Sequence, residues 1–324
     1  MHAVLMGLAL LGYLKGQLHV HSNASGDSAT PPAEVARWYA ARHYDFIVLT
    51  DHERVTVGVS VGDMLVLPGV ELTQNLETCT PPPRPGLNCL LHVNALLVTP
   101  RARVPWPPVI SNQRLDRYLR ALDATRALGG IAQLNHPNFH YAADAALVRQ
   151  LVDRGLLLME VANQSADVNN TPAGEPSTEA IWDEVLSGGG KLWGTATDDA
   201  HHYDDAAARA RAGEQVFVGD LGFVMVHAER NPAAIRDALV RGDFYSSSGV
   251  ILDRLQRTAD RLEVAVAGGA RCRFRFIGPG GAVLQTSQGS SATLSLRGRK
   301  GYVRVVVEDG ARRAWTQPLF LDGR

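Results

Sequence analysis

Histidines and carboxylic acids recur at the ends of short apolar segments in this sequence. His19 and His21 alternate within the first such segment, so both side chains would point to one face of a β-strand. More than half of the eleven histidines fall at or within such segments, together with several acids. The full set is His19, His21, Asp51, His52, Glu71, His92, His136, Asp199 and His201. One histidine beside a strand is usually a packing residue, but this recurrence indicates a shared functional site.

The residue types at these segment ends favour metal binding over simple acid–base catalysis. A general acid and a general base need only a few titratable groups, and this pocket would contain many more. Protonated imidazoles would repel each other there unless metal cations replaced the protons. Mixed nitrogen and oxygen ligands suit zinc, manganese or iron better than calcium or magnesium. We therefore predict two or three divalent ions, with Glu71 the simplest carboxylate to bridge two of them.

Seven apolar runs would position these residues. They alternate with helical patterns, which is typical of repeated βα units and a mainly parallel sheet. The runs span residues 17–21, 45–50, 64–70, 89–98, 130–135, 156–162 and 191–197. Helices are predicted at residues 31–42, 111–128, 142–154, 175–187, 206–212 and 232–241. In an α/β barrel the strand ends converge on one rim, where barrel enzymes place their active sites.

The sequence pattern changes near residue 250. Short alternating segments separated by glycine follow, which predicts a small β-sandwich-like domain. The last histidine is His227, so this part of the chain has no share in the predicted site. We therefore divide the chain into a metallohydrolase barrel at residues 1–249 and a β-rich accessory domain at residues 250–324.

Composition and charge limit the classes of partner that the protein is expected to bind. A net charge of −1 with 20% charged residues gives no reason to expect nucleic acid as a stable partner or an anionic membrane surface. The apolar stretch at residues 3–14 is too short to span a bilayer and lacks a cleavage site, which favours the cytoplasm over export without deciding it. Cys79 and Cys89 bracket a proline-rich loop and could close it as a disulfide or remain thiols. The oligomeric state stays open.

Five motifs in order make the sequence similar to a known superfamily. They are QLHVHSN at 17–23, LTDH at 49–52, GVE at 69–71, HP at 136–137 and DAH at 199–201. Over about residues 15–250 the chain resembles the PHP (polymerase and histidinol phosphatase) superfamily. HVNAL at 92–96 and the β-rich tail are most similar to the branch that contains carbaryl-hydrolase-like metallohydrolases.

This resemblance implies a distorted (β/α)7 TIM-like barrel, the PHP fold, with a trinuclear metal site. The implied ligands are His19, His21, Glu71 and Asp199 for the first ion, Glu71, His92 and His136 for the second, and Asp27, His52 and His201 for the third. Asp27 stands where many relatives have histidine, so the third site is the one that departs from the family pattern. Without it the centre would be binuclear.

Catalytic roles beyond metal binding fall on three candidates. Asp51 would orient a ligand imidazole, or simply end its strand. His202 is a candidate general acid for the leaving group, or an exposed neighbour of a ligand. Arg54 is the best candidate for a phosphate clamp, although a solvated loop residue is its simpler interpretation.

The predicted function is hydrolysis of a small-molecule phosphoester by a metal-bridging hydroxide. Phosphodiesters or monoesters are the class that the resemblance implies, with phosphotriesters as an extension. The alternative is a carbamate or aryl carboxylic ester hydrolase that uses the same metals. A non-catalytic metal-binding module is the alternative of another class. A pocket of Trp106, Pro107, Phe139 and Tyr141 without cations would favour an aryl substrate, whereas a converging cation would favour phosphate.

Overall fold

Short runs of β-branched and other apolar residues form the buried strands of the molecule. The computed structural model describes residues 12–165 and 176–321, so most of the apolar stretch at 3–14 lies outside the described residues. The first strands are β1 (Tyr13–Val20), β2 (Phe46–Leu49), β3 (Leu65–Leu76), β4 (Cys89–Leu96), β5 (Ile131–Leu134), β6 (Leu158–Asn163) and β7 (Trp193–Thr197). Each of the seven predicted runs is therefore a strand, with ends that differ by a few residues.

Helices alternate with these strands, as the sequence predicts. They are α1 (Pro32–Ala40), α2 (Arg114–Ala127), α3 (Ala145–Val152), α4 (Thr178–Ser187), α5 (Ala206–Arg211) and α6 (Pro232–Arg241). Asp144, Ser177 and Asn231 cap α3, α4 and α6, because each side chain accepts a hydrogen bond from the backbone N–H three residues later. Gly242, with φ 77°, ends α6 in the left-handed conformation.

The sheet that these strands form is mixed, with parallel pairing dominant. β1, β2 and β3 are parallel, and so are β5, β6 and β7. β4 is antiparallel to both β3 and β5. A parallel connection normally needs a helical crossover, and the segment from β3 to β4 contains none. The α/β class with a large parallel-strand sheet is confirmed, and β4 is the exception to the predicted direction.

The end of β7 approaches the end of β1. Beyond β7, Ala200 forms a parallel bridge with Val20, and the His21 backbone N–H donates to the Ala200 carbonyl at 3.0 Å. On the same edge, the first half of β1 pairs antiparallel with β8 (Phe223–His227), whereas β2 occupies the opposite edge. The carboxyl ends of β1 and β7 therefore lie side by side.

The C-terminal strands continue the same sheet. β9 (Phe244–Ser247) pairs with β16 (Arg312–Thr316), and β15 (Gly301–Asp309), β12 (Cys272–Ile277) and β13 (Val283–Gly289) follow in order. β17 (Leu319–Leu321) also pairs with β15. A second small sheet joins β10 (Leu252–Arg257), β11 (Arg261–Val266) and β14 (Ser291–Ser295). The division at residue 249 stays a prediction, since sheet and core both continue across it.

One apolar cluster spans both predicted domains. Tyr39 and Tyr245 lie in the same buried cluster as Val264, Phe274 and Val305. Packing of this kind couples the C-terminal strands to the elements that carry the site.

A disulfide joins Cys79 to Cys89 and closes the loop between β3 and β4. The Arg114 guanidinium fastens this loop, because it donates to the Pro82, Tyr141 and Ala142 carbonyls. Among the described residues, no helix has the length and apolar character needed to cross a membrane.

Candidate metal centre

The strand ends bring all nine predicted ligand residues into one region. Their ligand atoms form three groups, and within each group the atoms lie within 4.8 Å of one another. The groups are His19, His21, Glu71 and Asp199; Glu71, His92 and His136; and His21, Asp27, His52 and His201. These sets match the three implied by the sequence resemblance, with His21 added to the third. That each residue binds metal stays a prediction.

Glu71 reaches this region because Gly69 lets β3 pack closely. A Cβ atom at Gly69 would lie 2.7 Å from a Val48 methyl carbon and 2.9 Å from the Leu49 carbonyl oxygen. Any larger residue would push β3 away from β2. The glycine of the GVE motif therefore serves the placement of the carboxylate two residues later.

The first group has the spacing of a metal coordination shell. Nε2 of His19 lies 3.4 Å from Glu71 Oε2 and 3.2 Å from Asp199 Oδ1. Nε2 of His21 lies 3.3 Å and 3.1 Å from the same two oxygens. Ligands bonded at 2.0–2.2 Å to one tetrahedral zinc would be separated by about 3.3–3.6 Å. These four separations suit a shared cation.

Several of these atoms have unsatisfied hydrogen-bonding capacity within the described part of the chain. Nε2 of His19, Nε2 of His21 and Oε2 of Glu71 are buried and have no hydrogen-bond partner among the described residues. A buried polar atom without a partner costs about 1–3 kcal/mol, so such atoms rarely gather without a reason. A cation would satisfy all three atoms at once, and the residues therefore fit the implied metal.

Neighbouring side chains fix which ring nitrogen of each histidine faces the centre. His19 Nδ1 lies 2.7 Å from Glu160 Oε1, and His21 Nδ1 lies 2.9 Å from Ser25 Oγ. Glu160 Oε1 also accepts from Thr197 and Gln133, so His19 Nδ1 is the donor to it, and Nε2 is the nitrogen that faces the centre.

The second group uses the other oxygen of Glu71. Oε1 lies 3.1 Å from Nδ1 of His92 and 3.7 Å from Nε2 of His136. Asn75 Oδ1 accepts from His92 Nε2 at 2.7 Å, which leaves the Nδ1 lone pair directed at Glu71. Asn135 Nδ2 donates to Glu71 Oε1 at 2.8 Å. Glu71 therefore lies between two sets of imidazoles.

The third group is the most open. Asp27 Oδ2 lies 3.0 Å from Nε2 of His52 and 3.3 Å from Nε2 of His201. The Asp27 side chain is 46% exposed, whereas that of Glu71 is 1% exposed. His201 Nδ1 donates to the Asp199 carbonyl at 2.9 Å, so its Nε2 is free to face Asp27. Solvent therefore reaches the centre on the Asp27 side.

The backbone is strained at two residues of the centre. His136 has φ 24° and Asp199 has φ 52°, in a region that residues with a side chain rarely occupy. Such strain persists only where surrounding contacts enforce it, and it is frequent at functional sites.

Burial and the nearby carboxylates act in opposite directions on the imidazole pKa values of the centre. Burial alone would lower the pKa of His19, but Asp199, Glu71 and Glu160 raise it well above its usual range. Burial is likewise outweighed at His52, where Glu71 and Asp27 raise the pKa to about 11. His21 differs, because burial and the nearby His201 and His52 lower its pKa to about 3. Metal ions bound here would have to displace imidazolium protons.

The carboxylates of the centre shift in the opposite direction. Burial would raise the pKa of Glu71, but His19, His52 and His92 hold it well below its usual value. His19 and His21 do the same for the pKa of Asp199, against the effect of burial. Both carboxylates are therefore ionised and available as ligands at neutral pH.

The three predicted catalytic residues lie apart from these groups. Both carboxylate oxygens of Asp51 accept from Ser22, in the chain that follows β1. This contact suits the simpler interpretation, that Asp51 ends its strand, and the orienting role stays a prediction. Arg54 is exposed and forms no ion pair with a described residue. Nδ1 of His202 accepts from the Phe217 backbone, and its role as an acid stays a prediction.

The sequence analysis did not identify the residues that hydrogen-bond the candidate ligands. Glu160, Asn75 and Asn135 each hydrogen-bond a candidate ligand. Glu160 had a signal, since it is an acid inside a run of apolar residues, and β6 is buried at every position. The two asparagines carry no charge and stand in no motif.

Cations lie over two of the aromatic residues that were expected to line a pocket. The Arg120 guanidinium lies 4.2 Å from the Trp106 ring centre, and Arg84 lies 4.1 Å from that of Tyr141. A cavity of about 230 Å³ next to the His136 segment is lined by Arg84, Tyr141 and other residues. Two of the four residues expected to line a pocket therefore each lie against an arginine.

Comparison with known proteins finds a distant structural match. No protein-family model and no curated protein matches the sequence. Among solved structures, an amidohydrolase from Chromobacterium violaceum, with bound sulfate and no metal, is 16% identical. The match covers 57% of this chain and 87% of that one, at a TM-score of 0.37. A TM-score of this size carries no argument about fold or function, so the case rests on the site.

Proposed function

We propose that this protein is a metal-dependent hydrolase that cleaves small phosphoesters. The observation that carries the proposal is the first group, where two buried imidazole nitrogens face the same two carboxylate oxygens at 3.1–3.4 Å. These nitrogens have no other partner among the described residues. Bound divalent ions would activate water and stabilise the charge that develops on the attacked phosphoryl oxygen.

Residues of the chain would have separate roles in holding the metal ions and admitting the substrate. Glu71 would bridge, because Oε2 faces His19 and His21 while Oε1 faces His92. Asp27 lies on the solvent side, where a substrate would enter. Buried carboxylates around the centre hold the imidazoles in fixed orientations before substrate arrives, so no reorganisation is needed at the moment of reaction.

Support for phosphate as the attacked group comes from Arg84, which lines a cavity together with Asn138, two residues after His136. A guanidinium pairs well with phosphate oxygens. An aryl ester or carbamate is the second candidate, because the Phe139 ring lies 5.2 Å from that of His136 and offers an apolar contact. Both substrates would use the same metals.

The PHP superfamily and its distorted (β/α)7 barrel complete the proposal. Support comes from the order of the five motifs along the strands. The bridge from Ala200 to Val20 supports closure between β7 and β1. Zinc, manganese and iron remain the candidate metals.

Hydrolysis assays test this proposal. Purified protein loaded with Zn²⁺ or Mn²⁺ is assayed on p-nitrophenyl phosphate, bis-p-nitrophenyl phosphate, paraoxon and p-nitrophenyl acetate. We expect phosphoester turnover that falls by more than about 100-fold in His19→Ala, since even partners behind a ligand cost 10–100-fold. His227→Ala is the matched control, because this exposed residue pairs with Tyr13 at the opposite end of β1. Turnover of p-nitrophenyl acetate alone would favour the aryl ester alternative, and no turnover with metal bound would contradict the hydrolase.

A further inference from the structure

Glu160 is a buried acid whose two oxygens serve different parts of the centre. It lies on β6 and its side chain is 0% exposed. Neighbouring strands supply its partners, since Gln133 belongs to β5 and Thr197 ends β7. Glu160 is not a member of any of the three ligand groups formed by the described residues.

The first oxygen of Glu160 fixes His19. Oε1 lies 2.7 Å from His19 Nδ1 and also accepts from Thr197 Oγ1 at 2.6 Å and Gln133 Nε2 at 3.3 Å. Three donors on one oxygen hold the carboxylate in place. Because Oε1 accepts from Thr197 and Gln133, it acts as an acceptor toward His19 Nδ1 as well, and the ring turns Nε2 toward Glu71 and Asp199.

The second oxygen of Glu160 fixes His136. Oε2 accepts from the His136 backbone N–H at 2.7 Å and from Asn163 Nδ2 at 2.9 Å. His136 has φ 24°, so an external contact must hold its backbone in this conformation. His19 and His136 belong to different ligand groups, the first and the second.

We propose that Glu160 is the positioning residue that sets His19 and His136 together, so that one buried carboxylate aligns the ligands of two metal sites. This inference rests on the proposed metal centre. Because all of its hydrogen bonds are accepted, Glu160 acts as an acceptor at both ends. Replacement by glutamine would place an amide NH₂ against donors at one end, whichever way the amide turns.

Metal affinity tests the proposal directly. Zn²⁺ binding is measured by competition with a chromophoric chelator for wild type, Glu160→Gln and the control Glu184→Gln, whose carboxylate is exposed on α4. We expect Glu160→Gln to bind Zn²⁺ 10–100-fold more weakly, as found for partners behind metal-bound histidines, and Glu184→Gln to match wild type. The d–d absorption of bound Co²⁺ should also change in Glu160→Gln, because the ligand field depends on ring orientation.

The outcomes separate this proposal from the one it rests on. A wild-type protein that binds no Zn²⁺ would overturn the proposed function and this inference together. A wild type that binds while folded Glu160→Gln retains the same affinity and Co²⁺ spectrum would overturn this inference alone. If Glu160→Gln does not fold, Thr197→Val carries the test, since it removes one donor to Oε1 at constant shape. Several-fold weaker Zn²⁺ binding supports the proposal, and unchanged binding overturns it.

Discussion

Protons and metal ions compete for the same nitrogens in the candidate centre. His136 and His201 have raised pKa values, in each case against the effect of burial: Glu71 and Asp199 act on His136, and Asp27 and Asp199 on His201. His19 and His52 are raised further. Protonation of His19 and His52 is therefore favoured at neutral pH, and only an unprotonated nitrogen can bind metal.

Metal binding should therefore release protons and weaken as the pH falls. A raised imidazole pKa means that the proton is present below that pKa, so lowering the pH favours the metal-free form. We expect at least one proton to be released per protein at pH 7, and Zn²⁺ affinity to fall about tenfold per pH unit for each proton released. Calorimetry of Zn²⁺ binding in buffers of different ionisation enthalpy measures this number. Binding that releases no proton would contradict the assigned ligand nitrogens.

Substitution of Asn75 tests whether His92 is a metal ligand. Its Oδ1 holds His92 Nε2, so Asn75→Ala should free the ring to rotate away from Glu71. We expect the affinity of the site that contains His92 to fall by about 10–100-fold, while the remaining metal stays bound. Titration with Zn²⁺ should show one weakened site beside unchanged ones. The exposed Asn112, changed in the same way, is the control, and equal binding by both variants would argue against His92 as a ligand.

The sequence predicted the side chains whose ligand atoms face the centre better than it predicted the residues that hydrogen-bond those side chains. Histidines and acids at strand ends carry a period and a position that can be read from the sequence. Asn75 and Glu160 act through contacts between strands that are distant in sequence, which no local pattern records. The contact of Asp51 with Ser22 could not be predicted either, because the direction of a side chain in a short turn depends on the fold of the following residues.

Alternation of apolar and polar residues in the sequence predicted the positions of strands that have one buried face. β13 carries no such pattern, because its residues are exposed or half-buried and give no apolar alternation. β4 was located, but its antiparallel direction was not, since direction depends on the connection rather than on the strand itself. The division into two domains followed a change of pattern, which does not reveal that β9 pairs with β16.

A buried ion pair fastens α4 to β15. The Arg304 side chain is 2% exposed and donates to both carboxylate oxygens of Asp183, at 2.7 Å and 2.6 Å. We expect Arg304→Met to lower the free energy of unfolding by about 3–5 kcal/mol, because Asp183 would remain charged and buried. Urea unfolding measures the change.

Two further variants control this prediction. Arg304→Met with Asp183→Leu should recover much of the loss, since neither charge is then left unpaired. Arg297→Met removes an exposed pair with Asp260 and should leave unfolding unchanged. An Arg304→Met protein as stable as wild type would show that the pair contributes nothing.

For the whole molecule, the shared sheet and core predict interdependence. Tyr245 Oη accepts from the Leu252 backbone at 3.0 Å, and Trp315 lies opposite Ser246 in the pairing of β16 with β9. A chain ended at residue 249 would expose the edge of β9 and part of the core around Tyr245. We expect this fragment to aggregate or to unfold without a cooperative transition, by circular dichroism in denaturant beside the full chain. A fragment that unfolds cooperatively would instead support two independent domains.

Zinc content shows whether the grouped histidines and acids hold metal ions. The protein is loaded with Zn²⁺, dialysed against metal-free buffer and analysed by mass spectrometry for zinc per chain, for wild type, Glu71→Gln and the control Glu184→Gln. We expect two or three zinc ions in wild type and in the control, and at least one fewer in Glu71→Gln, because Glu71 faces two ligand groups. Wild type without stoichiometric zinc, or Glu71→Gln with its full content, would contradict this expectation.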